Sequence, residues 1–351
     1  MKTVLILFGG KSSEYEVSLS SATGVYENID KETYRVLLAG ITKDGRMYLY
    51  EGDPKKILAD EWEQDKKAPL TIDFSRGELL VLREGNSEYI HVDTVLPMIH
   101  GKYCEDGTMQ GLFAVAGIPV AGCSCQASAV CMDKAVAKEI VAAEVGANLA
   151  KAVVARAREC RSDADIERIR EQAEREFGYP MFVKPSRAGS SVGVNKVKNA
   201  DAFARALRKA FEEDTKVLVE EAVVGREIEV AVLEEGDELI AAHPAEIDVG
   251  SSEFYDYETK YISDASSYYL PARLTEEKQN EVREIAAKIF RALDCRGFAR
   301  VDFFCTPDGR FVFNEINTLP GFTPISMFPK MMMNEGITYS GLIDRLIAGA
   351  L

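Results

Sequence analysis

Two apolar segments near the C-terminus each carry polar residues spaced for one face of a strand. Gly297-Phe-Ala-Arg300-Val-Asp302-Phe-Phe is the first, and Phe311-Val-Phe-Asn-Glu315-Ile-Asn317 is the second. Strand side chains alternate with period two, so Arg300 and Asp302 share a face, as do Glu315 and Asn317. Between them, Thr306-Pro-Asp-Gly309 is turn chemistry that folds the two runs into a hairpin. A guanidinium, two carboxylates and an amide oxygen then converge on a sheet otherwise built of Phe, Val and Ile. Magnesium takes hard oxygen ligands, commonly one or two carboxylates plus substrate phosphates, and Asp302, Glu315 and Asn317 supply that set. Arg300, planar and always charged, suits a transferring phosphoryl group or a developing oxyanion. The bland alternative is a structural salt bridge among Arg300, Asp302 and Glu315.

Three more segments carry chemistry. Lys184 lies near the end of a strand expected at Met181–Pro185, and the loop Arg187-Ala-Gly189-Ser190-Ser191-Val-Gly193 follows it. Backbone N–H groups and hydroxyls in such a loop can wrap phosphate oxygens, although a small-residue loop alone is also an ordinary turn. It is not a Walker loop, because the Gly-Lys-Ser/Thr ending is missing and a strand follows. Val217-Leu-Val-Glu220-Glu221 and Gly225-Arg-Glu227 place carboxylates where one strand ends and another begins. They are surface charge unless a nucleotide lies nearby, in which case Glu220 and Glu227 suit its adenine amino group and ribose. Asn317-Thr-Leu-Pro-Gly321-Phe-Thr-Pro-Ile-Ser326 offers a backbone that can approach a ligand at Gly321 and a hydroxyl near a helix start at Ser326.

The elements that must position these groups are legible from periodicity. Thr3 to Phe8 is a short apolar run stopped by Gly9-Gly10, a buried parallel strand entering a turn. A helix over Val17–Asn28 and a strand over Tyr34–Ile41 follow, so the chain opens as a parallel α/β layer. The stretch from Gly52 to Glu88 is charged and weakly periodic and reads as peripheral loops and hairpins. Thr94 to Ile99 is a strand ending at His100-Gly101; Thr108–Ala116 and Ala127–Glu144 read as helices, the second broken near Asp133. Ser162 with Asp165 three residues on approaches a capping box. The spacing of Phe203 to Phe211 and of Val282 to Leu293 gives two more amphipathic helices.

At 351 residues the chain exceeds one comfortable core and implies two or three domains. A net charge of −15 argues against a broad nucleic-acid footprint but leaves room for an anionic substrate in a local basic pocket. The seven Cys are odd in number, and Cys123-Ser-Cys125 is too tight for paired zinc ligands, which favours reduced thiols in a cytosolic protein. The N-terminal apolar run is too short for a signal peptide, and no stretch approaches a spanning helix, so a soluble intracellular protein without a membrane partner is expected.

Together with these segments, Gly9-Gly-Lys-Ser-Ser-Glu14-Tyr-Glu-Val17-Ser18, His100-Gly-Lys-Tyr-Cys-Glu105-Asp106-Gly107, Met132-Asp-Lys134 and Phe254-Tyr-Asp-Tyr-Glu-Thr-Lys260-Tyr261 make the chain resemble the D-alanine–D-alanine ligases of the ATP-grasp superfamily over almost its whole length. The resemblance implies a mixed α/β and α+β multidomain chain. A Rossmann-like parallel α/β domain would span 1–125. A two-lobed ATP-grasp domain would follow, with a central lobe at 126–220 carrying the phosphate loop and a C-terminal lobe at 221–351 carrying the metal and catalytic site. It implies ATP-dependent joining of two D-alanines through a D-alanyl phosphate, for peptidoglycan precursors in a bacterial cytoplasm, by an enzyme that is commonly a homodimer.

By the same resemblance, Lys134, Lys184, Ser191 and Lys260 contact the nucleotide phosphates, and Glu220, Glu221 and Glu227 its adenosine part. Asp302, Glu315 and Asn317 hold two magnesium or manganese ions. Glu14 takes the ammonium of the first D-alanine, and His100 lies close to its carboxylate. Arg300 and the Gly321 N–H are the oxyanion donors. Ser326 and Ser190 place the second substrate, and Tyr261, Ser190 and Glu14 latch a closing loop. Serine-using relatives resemble a Phe at the position of Tyr255 and an Arg at that of Met327. With Tyr255 and Met327 here, D-alanine is the expected second substrate and D-serine the alternative. Tyr103-Cys104 departs from the small or polar residues usual in the His100 loop. A dehydrogenase is argued against by the lack of Gly-x-Gly-x-x-Gly. A silent nucleotide-binding regulator would be expected to lose Arg300, a metal ligand or Glu14, and all are retained.

Overall fold

The computed structural model describes residues 1–190, 192–248 and 267–351. In its first sheet, β1 (Lys2–Gly9) pairs in parallel with β2 (Tyr34–Ile41), and α1 (Tyr15–Asn28) packs on β1. Val4 to Phe8 are wholly buried, which is why this strand reads as an unbroken apolar run rather than an alternating one. The stretch expected to be peripheral instead extends the sheet. β3 (Met47–Tyr50), the short α2 (Lys55–Leu58), β4 (Lys67–Asp73), β5 (Glu78–Arg83) and β6 (Asn86–Ile90) follow, and these strands pair antiparallel in sequence. The reason is a buried anchor: Trp62 is fully covered, edge-on to Phe8 at 5.1 Å, and its indole N–H donates to the Tyr15 hydroxyl at 2.8 Å. β7 (Thr94–Pro97) closes the other edge, parallel to β1.

After α3 (Thr108–Val115) come α4 (Cys125–Met132) and α5 (Lys134–Glu144), parted at Asp133 as expected. Asp133 leaves helical geometry, and its carboxylate accepts from the Val136 N–H as the N-cap of α5. The short β8 (Asn148–Leu149) joins the last sheet. The middle sheet has the order β11 (Asn195–Val197), β10 (Met181–Pro185), β12 (Lys216–Glu221), β9 (Ala152–Arg156), all antiparallel. Helices α6 (Asp163–Glu176) and α7 (Ala200–Glu213) share its core. The capping box at α6 is complete, with the Ser162 and Asp165 side chains each accepting from the other's backbone N–H.

The third sheet is centred on β13 (Arg226–Glu235), with β14 (Glu238–Ala241), β15 (Ala245–Asp248) and β16 (Ser267–Tyr269) toward one side. Following α8 (Glu276–Ala292), β17 (Phe298–Cys305) and β18 (Phe311–Asn317) form the expected hairpin on its other side. The chain ends in α9 (Met327–Asn334) and α10 (Tyr339–Ala350).

The buried cores cross the expected boundaries of 126–220 and 221–351 in two places. Ala127, Cys131, Ala137 and Val141 of α4 and α5 share a core with Val230, Phe303 and Phe311 of the third sheet, not with the middle one. Leu319, Phe322, Phe328 and the buried face of α10 join the core of the first sheet. Each helix stripe goes where an uncovered sheet face exists, and chain order does not decide that.

Candidate active site

A cavity of about 520 Å³ opens between the middle and third sheets, lined among others by Lys134, Lys138, Lys184, Glu220, Glu227 and Asp302. Its cationic wall is built from two elements. Lys134 and Lys138 are four residues apart on α5 and so share a helix face, while Lys184 comes from β10. Glu220 is buried and lies between two ammonium groups, at 2.5 Å from Lys138 and 2.5 Å from Lys184. Burial alone raises a carboxyl's pKa, but these two lysines outweigh it and hold Glu220 down to about 2. Burial lowers the Lys138 ammonium to about 8, with Glu220 pulling the other way. One carboxylate facing two lysines leaves positive charge over, as an anionic ligand requires.

Lys134 joins the phosphate loop to the hairpin. Its ammonium donates to the Ala188 carbonyl at 2.9 Å and meets Glu315 at 3.0 Å. Burial disfavours that charge, and Glu315 reverses the balance, so the Lys134 pKa is raised. Lys184 also donates to the Asn314 side-chain oxygen at 3.3 Å.

In the hairpin, Asp302 stands opposite Glu315 and Arg300 opposite Asn317, with a register shift just after Asp302. Arg300 grips Asp302 with both arms of its fork, at 2.8 and 2.7 Å, and reaches Glu229 at 3.4 Å. The salt bridge anticipated among Arg300, Asp302 and Glu315 is thus divided: Asp302 pairs with Arg300, and Glu315 with Lys134. Among the described residues no three His, Cys, Asp or Glu side chains gather as a metal cage. The donor set still fits a phosphate-bound cation, since the register-paired carboxylates of Asp302 and Glu315 both line a cavity of nucleotide size. The Asn317 side-chain oxygen accepts from the Leu319 N–H at 3.0 Å, which aims the following turn.

At the end of the first sheet, Glu14 is buried and accepts a hydrogen bond from the Ser190 hydroxyl. This brings together two residues 176 apart in sequence. Ser190 sits at φ 48, a left-handed backbone that presents its side chain to Glu14. Nearby, Glu105 is buried; desolvation, then the Glu14 charge, push its carboxyl up to about 8. Cys104 is packed under the glycine turn, its sulfur 3.3 Å from where a Cβ on Gly10 would lie. Tyr103 takes φ 67, a region that favours glycine, and is exposed.

His100 is buried, and burial pulls its imidazole down to about 4. Both ring nitrogens are engaged inside the protein: Nδ1 with the Leu319 carbonyl at 2.8 Å and Nε2 with the Ser21 hydroxyl at 3.0 Å. His100, expected close to the first substrate's carboxylate, is tied in this structure to the Leu319–Phe322 turn. Phe322 is fully buried at 6.0 Å from Phe298 and 5.6 Å from Tyr339 and anchors that turn in the core. Beyond it, the Ser326 hydroxyl lies 2.7 Å from that of Thr323 and accepts from the Thr323 N–H at 3.1 Å. Met327 opens α9 and packs against the first core.

Of the other expected residues, Glu227 lines the cavity, and Glu221 lines it while accepting from the Lys151 N–H at 2.9 Å. Ser191, Tyr255, Lys260 and Tyr261 lie outside the described residues. Sequence reasoning missed Lys138, Glu229, Glu105 and Ser21. Two of them had a periodic signal: Lys138 is one helical turn beyond Lys134, and Glu229 alternates with Glu227 on β13. Ser21 and Glu105 had none, because only the packed fold brings them beside His100 and Glu14.

The family model described as D-ala D-ala ligase N-terminus matches residues 3–123, and that described as D-ala D-ala ligase C-terminus matches residues 141–348. The D-alanine–D-alanine ligase of Caldicellulosiruptor bescii is 44% identical, covering 99% of this chain and 94% of that protein. That of Clostridium novyi is 46% identical over 99% of this chain and 97% of its own. Among solved structures, the VanG D-Ala:D-Ser ligase of Enterococcus faecalis superposes with a TM-score of 0.90 at 42% identity, covering 100% of this chain and 99% of that one. The D-alanine–D-alanine ligase of Coxiella burnetii gives 0.85 at 32% identity, over 99% and 93%.

Proposed function

The chain belongs to the D-alanine–D-alanine ligase family, and from that premise we propose how its residues carry out the ATP-dependent joining of two D-alanines. The carboxylate of the first D-alanine attacks the γ-phosphorus of ATP, and ADP leaves. The amine of the second attacks the resulting acyl phosphate, and phosphate departs from the tetrahedral adduct. The observation that carries this reading is the double contact of Lys134, which joins the phosphate loop at Ala188 to the acidic hairpin at Glu315.

Lys134, Lys138 and Lys184 bind the nucleotide phosphates, and Glu221 and Glu227 face its adenosine part. Glu220 fixes the two lysines beside it and offers the adenine amino group an acceptor. Ser191 and Lys260 are assigned to the phosphates as well. Asp302, Glu315 and Asn317 would hold two magnesium or manganese ions, which would neutralise phosphate charge there. Arg300 and the Gly321 N–H stabilise the oxyanion of the adduct. Glu14 receives the first D-alanine's ammonium, with Ser190 and Tyr261 completing the latch that excludes water from the acyl phosphate. Ser326 positions the second substrate. Met327 presents an apolar surface there, and the Thr323 and Ser326 hydroxyls already pair with each other, an arrangement that favours a methyl over a serine hydroxymethyl side chain.

We place the enzyme in the cytoplasm of a bacterium that makes peptidoglycan, as a homodimer; no described helix is long and apolar enough to cross a membrane. The test is ADP release from MgATP with and without D-alanine. D-alanine should stimulate it and dipeptide should accumulate; ADP release indifferent to D-alanine would count against the ligase reading. The resemblance to the VanG D-Ala:D-Ser ligase makes D-serine, beside D-lactate, the competitor to offer. A clear preference for either would replace D-alanine as the second substrate.

A further inference from the structure

We propose that Ser21 is a positioning residue for this reaction: through His100 and the Phe322 N–H it fixes the Leu319–Phe322 turn and so aims the Gly321 N–H. The inference rests on the ligase reading given above for Gly321. Ser21 is wholly buried on α1, 301 positions before Phe322, yet its hydroxyl lies 3.0 Å from His100 Nε2 and accepts from the Phe322 N–H at 3.3 Å.

The hydrogen-bond directions follow from chemistry. A carbonyl oxygen only accepts, so the proton on the neutral imidazole sits at Nδ1, facing Leu319 at 2.8 Å. Nε2 is then bare and must accept, so Ser21 donates its proton there and uses a lone pair for Phe322. Four polar backbone groups hold the turn around Gly321, the Leu319 carbonyl and the Phe322 N–H among them. The Leu319 N–H goes to Asn317 at 3.0 Å, and the Phe322 carbonyl accepts from Tyr339 at 2.5 Å. Pro320 has no N–H, and among the described residues none accepts from the Gly321 N–H. What remains is a single donor aimed by its fixed neighbours. The α1 surface presses closely on the same stretch, since a Cβ on Gly24, one turn beyond Ser21, would lie 3.0 Å from Pro324.

The experiment compares wild type, Ser21→Ala and Ser20→Ala, the last on a neighbouring half-buried position outside the network. Alanine is the best helix former, so Ser21→Ala keeps α1. Misplacing a reacting group by an ångström can cost about 10²-fold, so turnover in Ser21→Ala should fall about 10- to 100-fold while the KM for ATP stays within about twofold. Ser20→Ala should match wild type. With only three histidines in the chain, the His100 imidazole can be followed by nitrogen NMR. Wild type should show one tautomer, protonated at Nδ1, and Ser21→Ala should show mixed tautomers or a shifted Nε2. Unchanged turnover, a parallel loss of ATP affinity, unaltered imidazole signals, or a wild-type imidazole protonated at Nε2 would each overturn the proposal. Failure of wild type to make dipeptide would instead refute the ligase reading, and the imidazole spectra would still test the contacts.

Discussion

Arg300 is the side chain on which the proposed chemistry most depends. It lies between Asp302 and Glu229, so its guanidinium is already oriented before any substrate arrives. Arg300→Ala should lower turnover by about 10²–10³-fold, with nucleotide affinity changing far less. Near-wild-type turnover would remove it from the oxyanion role. His100 supplies a second test, read in stability. Burial lowers its imidazole from 6.5 to about 4, so between those values the unfolded chain binds more protons than the folded one. The sign is therefore a loss of stability on acidification from about pH 6.5 to 4, at most about 3 kcal/mol, and no contribution to the slope above it. Urea midpoints measured across that window should show a shallower slope for His100→Gln than for wild type; parallel curves would contradict the assignment.

Among the elements, α5 and the β17–β18 hairpin do the most positioning, because each places two charged groups one repeat apart on a single face. Helix α6 is instead a purely structural element at the far side of the middle sheet. Its capping box satisfies backbone donors that the helix cannot pair itself. Ser162→Ala should cost about 1 kcal/mol in the unfolding free energy and leave dipeptide formation unchanged. A large loss of activity at unchanged stability would show that α6 reaches the site by a route absent from its contacts. The 47–90 stretch is a lesson at the same scale. Its charge hides a strand alternation whose apolar half is buried in the first sheet, and Trp62 anchors it.

At the scale of the whole molecule, the cavity proposed for the nucleotide lies between two sheets with separate cores, so a ligand there contacts both. Binding to the folded state alone stabilises by about 2.7 kcal/mol at a hundredfold excess over Kd. MgATP should therefore raise the melting temperature by several degrees, and D-alanine should add to the shift. No shift at saturating nucleotide would argue against the cavity as the ATP site. The chain's two ends also meet, because α9 and α10 return to the first core. That return brings the Leu319–Phe322 turn, with Gly321 in it, against His100 and Ser21.

Local patterns settled much of this in advance. Period-two spacing was enough to put Arg300 with Asp302, and Glu315 with Asn317, on one face of each strand, and period 3.6 with capping residues located most helices to within a few residues. Alternation and helical repeats are properties of neighbours in the chain, so the sequence could state them. Which lysines bracket Glu220, that Arg300 also reaches Glu229 and what His100 binds depend on contacts between residues tens to hundreds of positions apart. Only the packing of three cores against one another fixes those partners, because burial and charge pairing act through space and leave no period in the chain.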